Sequence, residues 1–241
     1  MTEASCRFYT NTIRNEATHI KKTMTRILLT VIVCTLAVTS AFAEAGPQYE
    51  TVDGIQIVTG YKSIDPAIYD GEGTPAESQE APVRWIIPTG WAELVDQKPD
   101  YLKVAANYQP EQENEYGISL MFVAVDLSNS GREAIDKAIA ELNVPVEEMD
   151  NTYLENETFV EFFGISPDNK TWEKHGENDF LVYSSSFDAD WGDGVIVRNT
   201  VTNALLLRKG ILYEFMINGT RENNDFYPSF EKLLDSIEFT D

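Results

Sequence analysis

Arg84-Trp-Ile-Ile-Pro-Thr-Gly-Trp91 is the stretch against which the rest of the chain is read. Val83 to Ile87 is a short β-prone run. Pro88 stops it, because the ring removes a backbone donor and holds Ile87 extended. Gly90 permits a turn that a side chain would resist, and Trp91 is placed to pack over the strand end. A folded domain covering 83–241 is expected to open here. The residues before it, Asp70-Gly-Glu-Gly-Thr-Pro-Ala-Glu-Ser-Gln-Glu-Ala-Pro82, are poor in apolar side chains and rich in turn formers, the composition of a flexible acidic linker. Earlier still, Gly54-Ile-Gln-Ile-Val-Thr-Gly60 reads as one strand between glycines, so 44–82 is expected to hold an N-terminal strand and a linker.

Downstream of Trp91 the pattern is mostly strand. Tyr101 to Tyr108 alternates and Gly117 to Val125 is a long β-rich run; the charged turn Pro110 to Glu115 between them predicts a hairpin. Ser128-Asn129-Ser130 offers helix-capping side chains. Ala134, Ile135, Ala138, Ile139 and Leu142 then form one apolar stripe that ends at Pro145, so a helix is expected on a sheet face. Thr158 to Ile165 reads as a strand before a turn at Pro167-Asp-Asn169. Three further strands follow, Asp179 to Phe187, Val195 to Leu207 and Ile211 to Asn218, joined by Asp190–Gly194 and Lys209-Gly210 as an antiparallel meander. Asn224 to Ile237 closes the chain as a helix with Phe226, Phe230, Leu233, Leu234 and Ile237 on one face. This order gives an α+β class and argues against a doubly wound nucleotide fold.

The first 43 residues read as separate from the fold. Lys21, Lys22 and Arg26 make a basic start, Ile27 to Val38 is apolar, and Ala41-Phe42-Ala43 is a small-x-small cleavage site before Glu44. The apolar run is about a dozen residues, short of the ~20 that a membrane-spanning helix needs. A cleavable signal peptide is therefore expected, with a periplasmic or secreted mature chain. Met24 opens that pattern, which makes it the expected start and Met1 to Thr23 an upstream extension.

Both cysteines, Cys6 and Cys34, fall in the part expected to be removed, so the mature chain has no disulfide and relies on packing. Val-Ile-Val before Cys34 lacks the small residues of a lipoprotein site. Removal takes away Arg7, Arg14, Lys21, Lys22 and Arg26 with Glu3 and Glu16. That leaves 13 Lys and Arg against 38 Asp and Glu, a balance of −25. Such a charge repels nucleic acid and anionic membrane surfaces and leaves cations or a basic protein surface as the partners that fit.

Taken together, an apolar strand running into Pro88-x-Gly90-Trp91 and a hairpin ending in Gly117-Ile-Ser-Leu-Met are joined by a helix after Ser130 and a late meander. With the closing Phe230-x-x-Leu233-Leu234-x-Ser236-Ile237-x-Phe239, these elements resemble the PsbP-like family. That family includes the extrinsic photosystem II protein PsbP, a small eukaryotic Ran-binding protein of the same fold and DcrB-type secreted bacterial proteins. The resemblance spans Val83 to Asp241. It implies a central antiparallel β-sheet flanked by helices, an α/β/α sandwich, and a non-enzymatic binding or accessory role at the cell envelope. It brings no shared catalytic residues.

The residues themselves offer little chemistry. The mature chain holds one histidine, His175, in Trp172-Glu-Lys-His-Gly176, which reads as an exposed turn, and no Gly-x-Ser-x-Gly elbow accompanies it. One His and no Cys argue against structural zinc, and both phosphate-loop fingerprints are absent. Asn156-Glu-Thr158, Asn169-Lys-Thr171 and Asn218-Gly-Thr220 fit the glycosylation triplet, but behind a bacterial-type leader they are given no role. Asp188-Ala-Asp190-Trp-Gly-Asp193-Gly194 is the sharpest local candidate. Asp188, Asp190 and Asp193 bring three carboxylates to a glycine turn, the start of an oxygen cage for Ca²⁺, although the third is one residue out of EF-hand register and Asn199 stands where that motif has Glu. Two functions are therefore weighed: a protein-binding accessory role without enzymatic activity, and a small-ligand or Ca²⁺ binder using this loop or an apolar pocket between sheet and helix.

Overall fold

The computed structural model describes residues 46–240 other than 64, 95–97, 112–116, 132, 158, 161–164, 166–169 and 191–194. The expected leader, with Met24, Cys6 and Cys34, lies outside the described residues. So do Asp193, the tip of the acidic hairpin turn and the whole of the turn at 167–169.

Twelve strands among the described residues build two sheets. In the first, β1 (Gly46–Val52), β2 (Ile55–Lys62), β5 (Trp91–Glu93), β6 (Leu102–Pro110) and β7 (Leu120–Asp126) join β8 (Lys170–His175), β9 (Asn178–Asp190), β10 (Ile196–Arg208) and β11 (Ile211–Asn218). The second holds β3 (Thr74–Glu77), β4 (Val83–Ile87) and β12 (Glu238–Phe239), in the order β12-β4-β3. The helices among the described residues include α1 (Glu133–Glu141) and α2 (Tyr227–Asp235).

The large sheet turns on β10. One edge pairs with β9 from Ile196 to Leu205. The other carries two partners in succession, β2 in parallel along Ile196–Arg198 and β11 antiparallel along Val201–Arg208. The connection from β11 to α2 fills the gap between those partners. Tyr61 N–H donates to the Asn223 carbonyl at 2.8 Å, Asp225 N–H donates to the Tyr61 carbonyl at 3.0 Å, and Gly219 N–H donates to the Thr200 carbonyl at 2.7 Å. The Tyr61 hydroxyl reaches the Asn199 Oδ1.

The opening stretch carries the chain from one sheet to the other. In β4, Val83 and Trp85 are buried while Arg84 and Ile86 face out, the period of two of a half-buried strand. After Pro88 the backbone turns at Gly90, φ 79°, where a Cβ would stand 2.8 Å from the Tyr69 ring, and Trp91 enters β5. Trp85 reaches across to the large sheet: its indole N–H donates to the Tyr108 hydroxyl at 2.9 Å and its ring stands edge-on to Phe122 at 4.9 Å. Phe122 stacks on Phe215 at 4.3 Å, and Phe180 meets Phe215 edge-on at 5.6 Å. Trp91, 4 % exposed, meets Tyr69 and Phe226 edge-on at 6.2 and 5.9 Å. This aromatic layer, with Phe230, Leu233 and Leu234 of α2, is the core between the small sheet, the closing helix and the large sheet. Each large side chain fully buried there contributes ~1.5–3 kcal/mol of transfer free energy.

The structure departs from the expected α/β/α sandwich. Strand dominates, the large sheet is mixed because β2 runs parallel to β10, and a small sheet shares with α2 the face that helices were expected to cover. Local periodicity reports one strand's burial and not its partner, so a parallel pair formed between distant segments leaves no local mark. The stretch read as a linker contributes Thr74–Glu77 as β3, paired with β4. The expected strand over 158–165 is not found at its described positions. Phe159 and Val160 are helical, and Val160 N–H donates back to the Asn156 carbonyl at 2.9 Å. The expected closing helix is shorter than its apolar pattern: Asn224 Oδ1 accepts from Phe226 N–H at 2.7 Å, and the helix starts at Tyr227.

Candidate functional site

Two groupings of polar side chains stand out, and they lie on different strands. The first contains the sequence-nominated aspartates. Asp188 and Asp190 belong to β9 rather than to a loop, and their spacing of two puts both on one face of the sheet. Arg198, directly opposite on β10, holds Asp188 in a two-pronged contact, Nε to Oδ1 at 2.7 Å and Nη2 to Oδ2 at 2.9 Å. The pairing with Asp188, by hydrogen bond first and by charge second, raises the Arg198 guanidinium further above its ordinary range. Both oxygens of Asp188 are thus engaged by a cation already in the chain. Among the described residues no cluster of three or more His, Cys, Asp or Glu is poised around a common point for a metal.

What surrounds these aspartates was not visible in sequence. Pairing registers set Val52 beside Ile55, Ile55 beside Ile196 and Ile196 beside Asp190 in one row across four strands. The next row of the same face runs Glu50, Ile57, Arg198, Asp188. Directly paired residues project to the same side of a sheet, so Val52, Ile55, Ile57 and Ile196 form an apolar strip bordered by Glu50, Asp188 and Asp190. Val52 and Ile196 remain 45 % and 39 % exposed. The only sequence trace of the strip is Val195-Ile-Val197, a run that lacks the alternation of its neighbours.

The second grouping surrounds His175. The expectation of an exposed turn is corrected: His175 ends β8 and is 8 % exposed, because α2 and Phe180 of β9 close over it. Its Nδ1 is 2.9 Å from Asp235 Oδ1 on α2, and its Nε2 is 3.6 Å from Glu173 Oε2 on β8. Glu173 in turn accepts from Arg221 Nη2 at 2.7 Å, and Arg221 also meets Glu231 at 2.9 Å and lies over the Tyr227 ring at 5.1 Å. Partial burial works to raise the Glu173 carboxyl. The Arg221 contact, the Thr171 hydroxyl and His175 outweigh it and hold the group below its ordinary range. The Arg221 guanidinium is raised, chiefly by its hydrogen bond to Glu173. The Nδ1 contact with Asp235 joins β8 to α2, whereas Glu173 lies beyond hydrogen-bond distance of Nε2.

Asn218 of one glycosylation triplet lies in β11, and its Oδ1 accepts from both the backbone N–H and the hydroxyl of Ser119 at 2.8 and 2.9 Å.

No protein-family profile matches the chain, and no curated protein matches it. Among solved structures it is similar to a crystal structure from Bacteroides thetaiotaomicron VPI-5482, at 13% identity over 70% of this chain and 49% of that one, TM-score 0.41. It is also similar to the solution structure of cyanobacterial PsbP from Synechocystis sp. PCC 6803, at 14% identity over 69% of this chain and 91% of that one, TM-score 0.34. The chain spans about half the length of the Bacteroides structure. At TM-scores below 0.5 neither likeness carries a fold or a function across.

Proposed function

We propose that the chain is an exported accessory protein of the PsbP-like type that works at the cell envelope by binding another protein, without chemistry of its own. The observation that carries this reading is the apolar strip of Val52, Ile55, Ile57 and Ile196 on an open sheet face, in a chain otherwise dominated by carboxylates. Contiguous exposed apolar surface with a polar rim is the usual mark of a protein contact. Asp188 is already paired with Arg198, so Glu50 and Asp190 give the border its acidic character, which favours a partner with a basic group beside an apolar centre.

The test is a photoreactive amino acid at Ile196, with the same group at Ile86 on the small sheet as control; Ile86 is comparably exposed. Irradiated in intact envelopes, the Ile196 probe is expected to join one discrete partner that the Ile86 probe does not. The same products from both positions, or none from Ile196, would remove the strip as a binding surface.

A further inference from the structure

We infer that Asp53-Gly54, the tip of the β1–β2 hairpin, is where the folded chain rearranges covalently, passing through a cyclic imide to an isoaspartyl linkage. This goes beyond the binding role proposed above and does not depend on it. In the rearrangement the Gly54 nitrogen bonds to the side-chain carboxyl carbon of Asp53, whose hydroxyl leaves as water with the amide proton. Water then adds back. Opening the ring at the side-chain carbon restores aspartate; opening it at the backbone carbon leaves the chain running through the side chain, longer by a carbon. The water lost is regained, so the step needs no co-reactant. A glycine is required because a Cβ would obstruct the approach of the nitrogen.

The sequence offers Asn-Gly at Asn218 and Asp-Gly at Asp53, Asp70 and Asp193, the last outside the described residues. An amide is the better electrophile, so in an unfolded chain Asn218 reacts first. Folding reverses that order. The Asn218 Oδ1 is held by the N–H and hydroxyl of Ser119, and the Gly219 N–H, the attacking group, donates to the Thr200 carbonyl at 2.7 Å. Asp70 lies 3.5 Å from Lys232 Nζ, and a Cβ at Gly71 would stand 2.5 Å from Thr89 Oγ1, so that junction is packed.

Asp53 and Gly54 differ on each count. They are the two residues of the turn between the directly paired Val52 and Ile55, with φ of 51° and 81°, the left-handed pair that a tight hairpin demands. Both are exposed, and a Cβ at Gly54 would meet nothing within 4 Å. Among the described residues neither the Asp53 carboxyl nor the Gly54 N–H has a hydrogen-bond partner. Only the pairing of Val52 with Ile55 has to loosen for the two groups to meet, and such local openings need far less than global unfolding. The added carbon cannot be fitted between Val52 and Ile55 while the two-residue turn is kept. The product therefore frees Val52 from its place at the end of the apolar strip.

The experiment keeps the purified, folded protein at neutral pH and physiological temperature in water enriched in heavy oxygen, beside a sample unfolded in guanidinium. Tryptic peptides are read by electron-transfer fragmentation, which separates isoaspartate from aspartate. In the folded sample the peptide ending at Lys62 is expected to accumulate isoaspartate and heavy oxygen at residue 53, while Asn218 keeps its amide and Asp70 stays unlabelled. In the unfolded sample Asn218 is expected to lead. Asp53→Glu, whose longer side chain would have to close a larger ring, is expected to lose the product, and a thermal melt confirms that the variant is folded. Amide exchange across 46–62 is expected to be faster in the isoaspartyl fraction. A folded-state product led by Asn218 or Asp70, or an unaltered residue 53 while the unfolded chain reacts there, overturns the site. Unchanged exchange in the isoaspartyl fraction overturns the loosening of the strip.

Discussion

The Nδ1 of His175 stands 2.9 Å from the Oδ1 of Asp235, and this contact ties the end of β8 to the last turn of the closing helix. Asp235 is the last residue of that helix, at the negative pole of the backbone dipole, and the imidazole meets it there. Gly176 lets the chain approach this closely: at φ 57° a Cβ would lie 2.7 Å from the Asp235 carbonyl oxygen.

Replacing the ring by His175→Ala removes a packed aromatic edge and leaves Asp235 and Glu173 without the group between them. A loss of about 1–2 kcal/mol is expected. It should appear as a lower urea midpoint with an unchanged slope, together with faster amide exchange in the last turn of α2.

Arg221 gives that region an acid-dependent component. The folded-state carboxyl of Glu173 is held low, so its contribution to stability is present above the unfolded-state value of about 4.3 and is lost as pH falls through the folded value. Arg221→Met removes the main cause. The variant is expected to be less stable near neutrality, by on the order of 1 kcal/mol or less given the solvent screening of this partly exposed pair. The difference from wild type should shrink as the pH drops below about 4, and denaturant melts across pH 3 to 7 check this directly.

Trp91 separates ring packing from hydrogen bonding. The ring is buried between Tyr69 and Phe226, while its indole N–H has no hydrogen-bond partner among the described residues. Trp91→Ala should cost about 3–5 kcal/mol, and Trp91→Phe distinctly less, since the smaller ring keeps most of the contact and gives up no hydrogen bond. Near-equal losses in calorimetry would mean that the indole N–H contributes more than its geometry indicates.

Calcium meets a competitor at Asp188. Because Arg198 already engages both carboxylate oxygens, millimolar Ca²⁺ is expected to leave the wild-type melting temperature where chelator leaves it. Binding to the folded state alone must raise that temperature, so a rise would show that Asp190 and Asp193 hold an ion without Asp188. Arg198→Gln frees Asp188 and provides the matching comparison.

The late meander was legible because each strand is a long β-rich run closed by its own turn: Asp179 to Phe187, Val195 to Leu207 and Ile211 to Asn218 correspond closely to β9, β10 and β11. The hairpin of β6 and β7 was legible for the same reason. The apolar stripes of α1 and α2 named Ile135, Ile139, Phe230 and Leu233, all of them buried. Three features had no local signal. The two residues of β12 are too short for a period. The β3 strand contains Pro75, which sequence reasoning reads as a breaker, although an edge strand tolerates it. The parallel pairing of Ile55 with Ile196 joins segments that share no turn. The strip was invisible for this last reason, since its members come from three strands and only register brings them together. Asp188 and Asp190 fell beside it by way of β9, so the loop inferred around them extended too far back into strand. His175 was misread because burial by a helix that arrives sixty positions later is not written in its neighbours.

The two partners on one edge of β10 also order the assembly of the molecule in time. The β9–β10–β11 unit closes through short turns and makes its contacts locally, whereas β2 must find Ile196–Arg198 from the far end of the sequence. Contacts between distant segments carry the larger loop-closure cost and form late. The β1–β2 hairpin is therefore expected to dock after the β9–β10–β11 unit has formed. Its seat exists only after the C-terminal half has folded, so it should be the first unit to open under stress and the readiest part of the sheet to exchange one neighbour for another.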